Sequence, residues 1–397
     1  MSRRPPLAFI FTVTLTGILT NTLITPALPD ILDEFGVPSD RAGLLVAAGS
    51  VAGIFLAPVA GLLADRYGRR LVLTTCLVVF GLAGGFAALA PTFNLLLLAR
   101  LIQGVGSSGL VNLAVVLIGD HWTGLERTRL VGRNSAVLTI GLAGLPLLSG
   151  ATTEAFGWRV TFAIYTVALI TAGVSWLVLD SWRPEQRQTL RDQIGEVRVL
   201  ARQPVVLVTL AAGFLGFIII FGLFLTVFPV DLAERFGLSA GSRGVVIALP
   251  AITSTLMAFN LGRIRGALSS RMVLLIASAG FAVAYLTLGL TVTLLVVVPA
   301  VLVVGASEGL LVPTLQDLAM DASSDEHRGA IVAVWVSSAR LGQTVGPILA
   351  GLAIAAWGTA TTLAVGSSVA GLIFLLGLFG PLVDDRHRHR LDLTGNG

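Results

Sequence analysis

The chain has 397 residues, of which 55% are hydrophobic and 12% charged, and its mean hydropathy is +0.90. A water-soluble globular protein carries about 25% charged residues, so the composition excludes a soluble fold and points to a chain whose solvent is largely lipid. The net charge of +4 does not mark a nucleic-acid binder: every basic residue is arginine, and the arginines follow the side of the membrane rather than gathering in a patch.

A helix that crosses a bilayer takes about 20 apolar residues. Twelve such runs follow one another, at 7–28, 42–63, 71–90, 94–118, 133–152, 160–180, 205–228, 244–262, 272–292, 294–317, 330–354 and 359–381. Ser2-Arg3-Arg4 precedes the first run, which is too long for a signal peptide and lacks a small-x-small cleavage site, so an uncleaved first span is expected. The polar stretch Ser181 to Gln203 alternates charged residues with Leu190, Ile194 and Val197 at near-helical spacing, as in an amphipathic linker lying on the membrane surface. The expected organisation is one bundle at 1–180, a linker at 181–204, a second bundle at 205–381 and a tail at 382–397. Twelve spans return the chain to the side on which it started. With the N-terminus inside, twenty of the 26 arginines fall in inner loops and tails. Four, Arg41, Arg159, Arg235 and Arg243, fall outside, and Arg100 and Arg340 lie within spans. This asymmetry predicts cytoplasmic termini.

The single cysteine, Cys76, lies in an apolar run, and His121, His327, His387 and His389 fall in expected loops or the tail, so neither a disulfide framework nor a metal site is expected. No catalytic constellation is evident in the spans, which argues against an enzyme.

Between spans two and three stands Gly61-Leu-Leu-Ala-Asp-Arg-Tyr-Gly-Arg-Arg70. One acid and three arginines in six residues are more than a turn requires. The stretch resembles the loop between helices two and three of the major facilitator superfamily, G-x-L-A-D-R-x-G-R-R, at Gly61, Asp65, Arg66, Gly68, Arg69 and Arg70. A decayed copy, Gly262-Arg-Ile-Arg-Gly-Ala-Leu-Ser-Ser-Arg271, lies 201 residues later. The same offset maps Gly43 onto Gly244, Gly104 onto Gly305, Asp120 onto Asp321, Pro146 onto Pro347, Gly150 onto Gly351 and Gly157 onto Gly358. Six spans per half is an even number, so the repeat is parallel, about an axis along the membrane normal. The resemblance implies an all-α membrane protein of two six-helix bundles, a substrate site between them near the midplane, and transport by alternating access. It also implies that Asp65 sits by the N-terminus of span eleven, where a helix dipole favours a carboxylate, and that Arg69 reaches Asp120, together latching the cytoplasmic side.

Span four carries Arg100-Leu-Ile-Gln-Gly-Val-Gly106, similar to the family's R-x-x-Q-G. An arginine within a span is costly unless paired or wetted. Two readings stay open for Arg100: a site residue acting with Gln103 one turn away, or a side chain reaching the headgroups. Span five, Gly141-Leu-Ala-Gly-Leu-Pro-Leu-Leu-Ser-Gly150, resembles the antiporter pattern G-x-x-x-G-P-x-x-G-G but has Leu145 and Ser149 where glycines belong. Span eleven has the better copy, Gly342-Gln-Thr-Val-Gly-Pro-Ile-Leu-Ala-Gly351. Helix packing through Gly141, Pro146, Gly150, Gly346 and Pro347 accounts for these residues without a further role.

Glu308 is the deepest carboxylate, near the middle of span ten, and Arg340 lies within span eleven. Either Glu308 carries a coupling proton or contacts substrate, or the two form a fixed ion pair. Asn21, Phe221 and Asn260 are further candidates for a largely apolar substrate site, which suits amphipathic ligands. The expectation is a monomeric, proton-coupled exporter of drug-like or amphipathic small molecules in a prokaryotic plasma membrane, needing no cofactor beyond the proton. The alternative within the class is a carrier of an anionic metabolite held by Arg100 and Arg340. A membrane enzyme or a channel is the remote alternative.

Overall fold

The computed structural model describes residues 4–180, 203–321 and 328–381. The expected linker helix, the tail and His327 lie outside them. The described chain forms twelve long helices: α1 (Leu7–Phe35), α2 (Ala42–Tyr67), α3 (Arg69–Ala88), α4 (Phe93–His121), α5 (Gly124–Phe156), α6 (Trp158–Val178), α7 (Pro204–Glu234), α8 (Ala240–Ala267), α9 (Ser270–Leu290) and α10 (Leu294–Asp321), then α11 (328–357) and α12 (359–379), which run on from each other through a kink at Gly358.

The turns explain why the boundaries fall where they do. Pro26 and Pro29 lack backbone N–H groups, and α1 loosens into a single 3-10 turn at Thr25–Ala27 before continuing to Phe35. Span one is therefore longer than its apolar run suggested. Gly36 and Gly237 end the first helix of each half at φ 60° and 62°, and Gly157 and Gly358 divide the fifth helix from the sixth at 81° and 76°. Each pair is separated by the repeat offset. In all four places the backbone is left-handed, which glycine adopts without strain.

Each half has its own apolar core, one built from residues of α1 to α6 with Val230 of α7 joining it, and the other from residues of α7 to α12. The halves meet chiefly through two helix pairs, α2 with α11 and α5 with α8. At the first, Gly43 faces the Pro347 carbonyl and Gly351 packs on the backbone at Asp40. At the second, Gly244 faces the Pro146 carbonyl and Gly150 packs on Ala240, Gly241 and Gly244. These are repeat mates, so one contact geometry is built twice. The glycines are needed because a Cβ at any of them would overlap facing backbone.

Both contacts lie at the end of the molecule where α2 and α8 begin. Toward the opposite end α5 and α8 diverge around a cavity of about 680 Å³, bordered by Ser135 and Thr139 on one side and Thr255 and Phe259 on the other. The molecule is therefore closed at the end holding the 36–41 and 235–239 turns and open at the end holding the Asp65 loop. Toward the closed end, α7 is a π-helix over Ile219–Val227, with Thr226 bonding back five residues to the Phe221 carbonyl at 2.7 Å. No sequence signal anticipated it. It packs Gly222 against Gly346 of α11.

Candidate functional site

The site is built from charged groups that the fold holds away from water, and each has a different set of partners. Arg100 on α4 is fully buried inside the first bundle. It donates to the Thr20 carbonyl at 2.7 Å, to Gln103 Oε1 at 2.7 Å and to the Leu45 carbonyl at 3.5 Å, with the rings of Phe162 and Tyr165 each 6.0 Å away. Gly49 makes room for the guanidinium, since a Cβ there would strike it. The side chain thus ties α1, α2 and α4 together, and does not extend toward the headgroups.

Glu308 sits midway along α10, half-buried. Arg340 is not its partner, and Glu308 forms no ion pair among the described residues. Its electrostatic neighbour is Tyr285 on α9, a fully buried tyrosine whose hydroxyl has no hydrogen-bond partner among the described residues. Close packing of Ser307 on Gly280 holds the two helices together there. Arg340 on α11 is half-buried between the bundles. Its Nη1 makes one long hydrogen bond to Gln343, at 3.5 Å, and the side chain lies across Gly53 of α2. One turn from Gly53, Ser50 accepts a 3.1 Å hydrogen bond from Asn21 of α1, whose Oδ1 is buried without a partner. Arg340, Gln343, Asn21 and Ser50 therefore border the junction of the two halves.

At the open end Gly68, at φ 96°, turns the chain sharply between Tyr67 and Arg69. Arg69 then reaches both Asp65, at 2.6 Å, and Asp120 of α4, at 2.9 Å. Arg66 is exposed and stacks near Tyr67, while Arg70 lies 3.9 Å over the Trp176 ring of α6. Gly61 has nothing within 4 Å of its Cβ position. Asp65 is engaged within its own half.

The other expected residues are scattered. Phe221 is half-buried beside Phe217, with ring centroids 6.2 Å apart. Asn260 lies low on α8 and bonds to Leu256 and Arg263. Gly141 packs on Leu15 and Ile18 of α1, and Gly346 on Ile218. No group of three or more His, Cys, Asp or Glu comes together among the described residues.

The closed end carries polar links that sequence reasoning passed over. Arg243 of α8, 3% exposed, pairs with Asp30 of α1 and donates to the carbonyls of Pro26, at 3.0 Å, and Leu238, at 2.7 Å. Glu154 of α5 accepts from the Gly241 amide at 2.6 Å and from Ser239 at 2.9 Å, and Glu234 accepts from Ser39. All three cross between halves. The available signal was that Asp30 and Asp231 are repeat mates, whereas Arg243 replaces Ala42.

A membrane carrier of two pseudo-symmetric bundles, sealed at one end around interior charges, is the class this geometry defines. The family model of the Major Facilitator Superfamily matches residues 10–322 and 219–395, and the chain belongs to that family. It is 25% identical over 348 residues to the bacillibactin exporter of Bacillus subtilis (strain 168), covering 84% of this chain and 86% of that one. It is 28% identical over 349 residues to the class B tetracycline resistance protein of Escherichia coli, covering 85% of each. Among solved structures it resembles the nucleoside transporter NupG, with a TM-score of 0.78 at 12% identity over 94% of this chain and 98% of that one. It also resembles a bacterial homolog of the human lysosomal transporter Spinster, inward-facing and unoccupied, with a TM-score of 0.74 at 17% identity over 94% of each chain.

Proposed function

We propose that the protein is a proton-coupled exporter of amphipathic small molecules, a carrier and not an enzyme, working as a monomer in a prokaryotic plasma membrane with both termini in the cytoplasm. The observation that carries the reading is Glu308: a half-buried carboxyl in mid-helix with no cationic partner among the described residues, in a molecule closed at one end and open at the other. An intramembrane ionisable group of this kind is costly and marks an ion or substrate path. The arginine asymmetry makes the open end cytoplasmic, so the described state faces inward. The apolar and aromatic character of the interior, and relatives that include an exporter and a resistance protein, support amphipathic cargo and outward movement.

In this cycle the proton on Glu308 must distinguish the two states, since a ligand shifts only an equilibrium whose ends bind it differently. Arg100 and Gln103 hold the first bundle rigid, and the Asp65, Arg69 and Asp120 cluster rebuilds the cytoplasmic latch when the molecule faces out. The test is transport in proteoliposomes with an imposed pH gradient. Glu308→Gln mimics the protonated carboxyl; it is expected to abolish uphill movement driven by the gradient and to leave substrate exchange at equal pH largely intact. A Glu308→Gln protein that still concentrates substrate would remove the residue from the coupling step.

A further inference from the structure

Three arginines lie deep in this molecule, and one of them has no adequate acceptor. Arg100 has three, and Arg243 has a carboxylate and two carbonyls. Arg340 presents five N–H donors and, among the described residues, spends one of them on a single 3.5 Å contact with Gln343. A guanidinium within a membrane is tolerated when it is paired or lines a wetted cavity, and Arg340 is half-buried, not sealed.

It faces the junction of the two halves. It lies twelve residues into α11 from Arg328 and seven before Pro347, where α11 closes on α2. At 1.5 Å per residue this is about 18 Å from one end of the helix and about 10 Å below the seal. Opposite it, Gly53 is near the middle of α2, and a Cβ built there would stand 3.6 Å from Arg340 Cδ and Nη1. The glycine thus lets a side chain from the second half reach the wall of the first. One turn away, Asn21 spends its amide N–H on Ser50 and leaves Oδ1 buried and unpartnered. Phe217, with Phe221 and Trp335, packs on the α7-facing side of α11 at Gly342, away from Arg340, so the anchor stands on the α2-facing side alone.

We propose that Arg340 is the anion anchor of the substrate site, with the free Asn21 acceptor beside it, so that the cargo is an amphipathic organic anion bearing a carboxylate. The planar fork of a guanidinium matches a carboxylate with two parallel hydrogen bonds. Asn21 Oδ1 takes a hydroxyl or amide N–H next to that carboxylate. The anchor spans the halves, because it belongs to α11 and rests on α2, so ligand binding and the approach of the two helices are coupled. This inference rests on the carrier reading above, and names the cargo that such a carrier would take.

The experiment uses three probes of one shape and different charge: 1-naphthoate, neutral 1-naphthamide and 1-naphthylmethylammonium. Binding to the purified full chain is followed by thermal shift, and counterflow of labelled 1-naphthoate in proteoliposomes is read at equal pH on both sides, where proton coupling contributes nothing. The expected result is preference for the anion over the amide by tenfold or more. Arg340→Gln should lose at least tenfold in naphthoate binding with amide binding unchanged, and Arg340→Lys should keep part of the preference. If Arg340→Gln does not yield folded protein, the fall in anion preference in Arg340→Lys decides. Naphthoate binding that survives loss of the guanidinium, or preference for the ammonium or the amide, overturns the anion anchor; if the ammonium probe then shows counterflow, the carrier reading survives it. Equal naphthoate counterflow by wild type and Arg340→Gln would overturn the anchor alone.

Discussion

Arg100, Arg243 and Arg340 are chemically identical, and their neighbours give them different work. Arg100 is surrounded by neutral acceptors and aromatic rings, so it ties α1, α2 and α4 together. Arg100→Leu would remove those donors, leaving Gln103 with neither its Oε1 nor its Nε2 partnered, since Nε2 is unpartnered already. The expected cost is about 1–3 kcal/mol, typical of a buried polar group left without a partner, measured as a lower unfolding midpoint of the purified protein. Substrate preference should change little. Arg340→Leu is expected to behave oppositely, with folding near wild type because few protein contacts are lost, and with an altered ligand response. Finding the two effects exchanged would show that the neighbours have been misassigned.

At the scale of helices, the glycine and proline pattern divides the molecule into surfaces that touch and surfaces that do not. Gly43 and Gly244 face carbonyls across the closed seams, whereas Gly61 faces open space. A branched side chain at either of the first two therefore prevents closure at that end. Gly43→Val and Gly244→Val should both favour the state open at the end of the 36–41 turn, and to a similar extent, because they are repeat mates. Gly61→Val should favour the described state if the Asp65 end closes by close packing of α2. Reactivity of single cysteines placed near Ser39 and near Ser135 reads the two ends independently. Each half has its own core, so these substitutions are expected to shift the conformational balance without large losses in folded yield.

The whole molecule is a balance between two seals. One is made in the described state by Arg243 with Asp30, Glu154 with the start of α8, and Glu234 with Ser39. The other would be made by the Asp65 loop, which here is held within its own half through Arg69 and Asp120. Arg243→Ala leaves Asp30 without its partner and should raise cysteine reactivity at the Ser39 end. Asp65→Asn should lower it, because the neutral side chain no longer favours a helix N-terminus, and should slow transport with little change in ligand affinity within one trapped state. Combining them should bring the balance back toward wild type, if the two seals are independent terms in one equilibrium. A double variant no different from Arg243→Ala would mean that the Asp65 loop contributes no closing energy.

Much of this was legible in the chain itself because lipid imposes a simple rule. Every backbone polar group must be satisfied within its own segment, so long apolar runs become helices, and twelve of them were countable. The offset of 201 residues gave the parallel repeat, since glycine and proline recur where helices must touch or bend. The close approach of Arg69 to Asp120 was also implied by local motif similarity. Contacts between distant segments were not legible. Nothing in the sequence tells which of two deep charges meet, and Glu308 and Arg340 do not, because α10 packs its acid toward α9 while α11 turns its arginine onto α2. The Arg243 link breaks the repeat and so escaped a reading based on repetition. The π-helix in α7 likewise lies where Gly222 meets Gly346 of α11, a contact between distant segments. Sequence determined what must lie in the membrane, because solvation is a property of each segment alone. Tertiary structure decided which interior charges are satisfied and which are left for a ligand, because pairing depends on how separate helices rotate against one another.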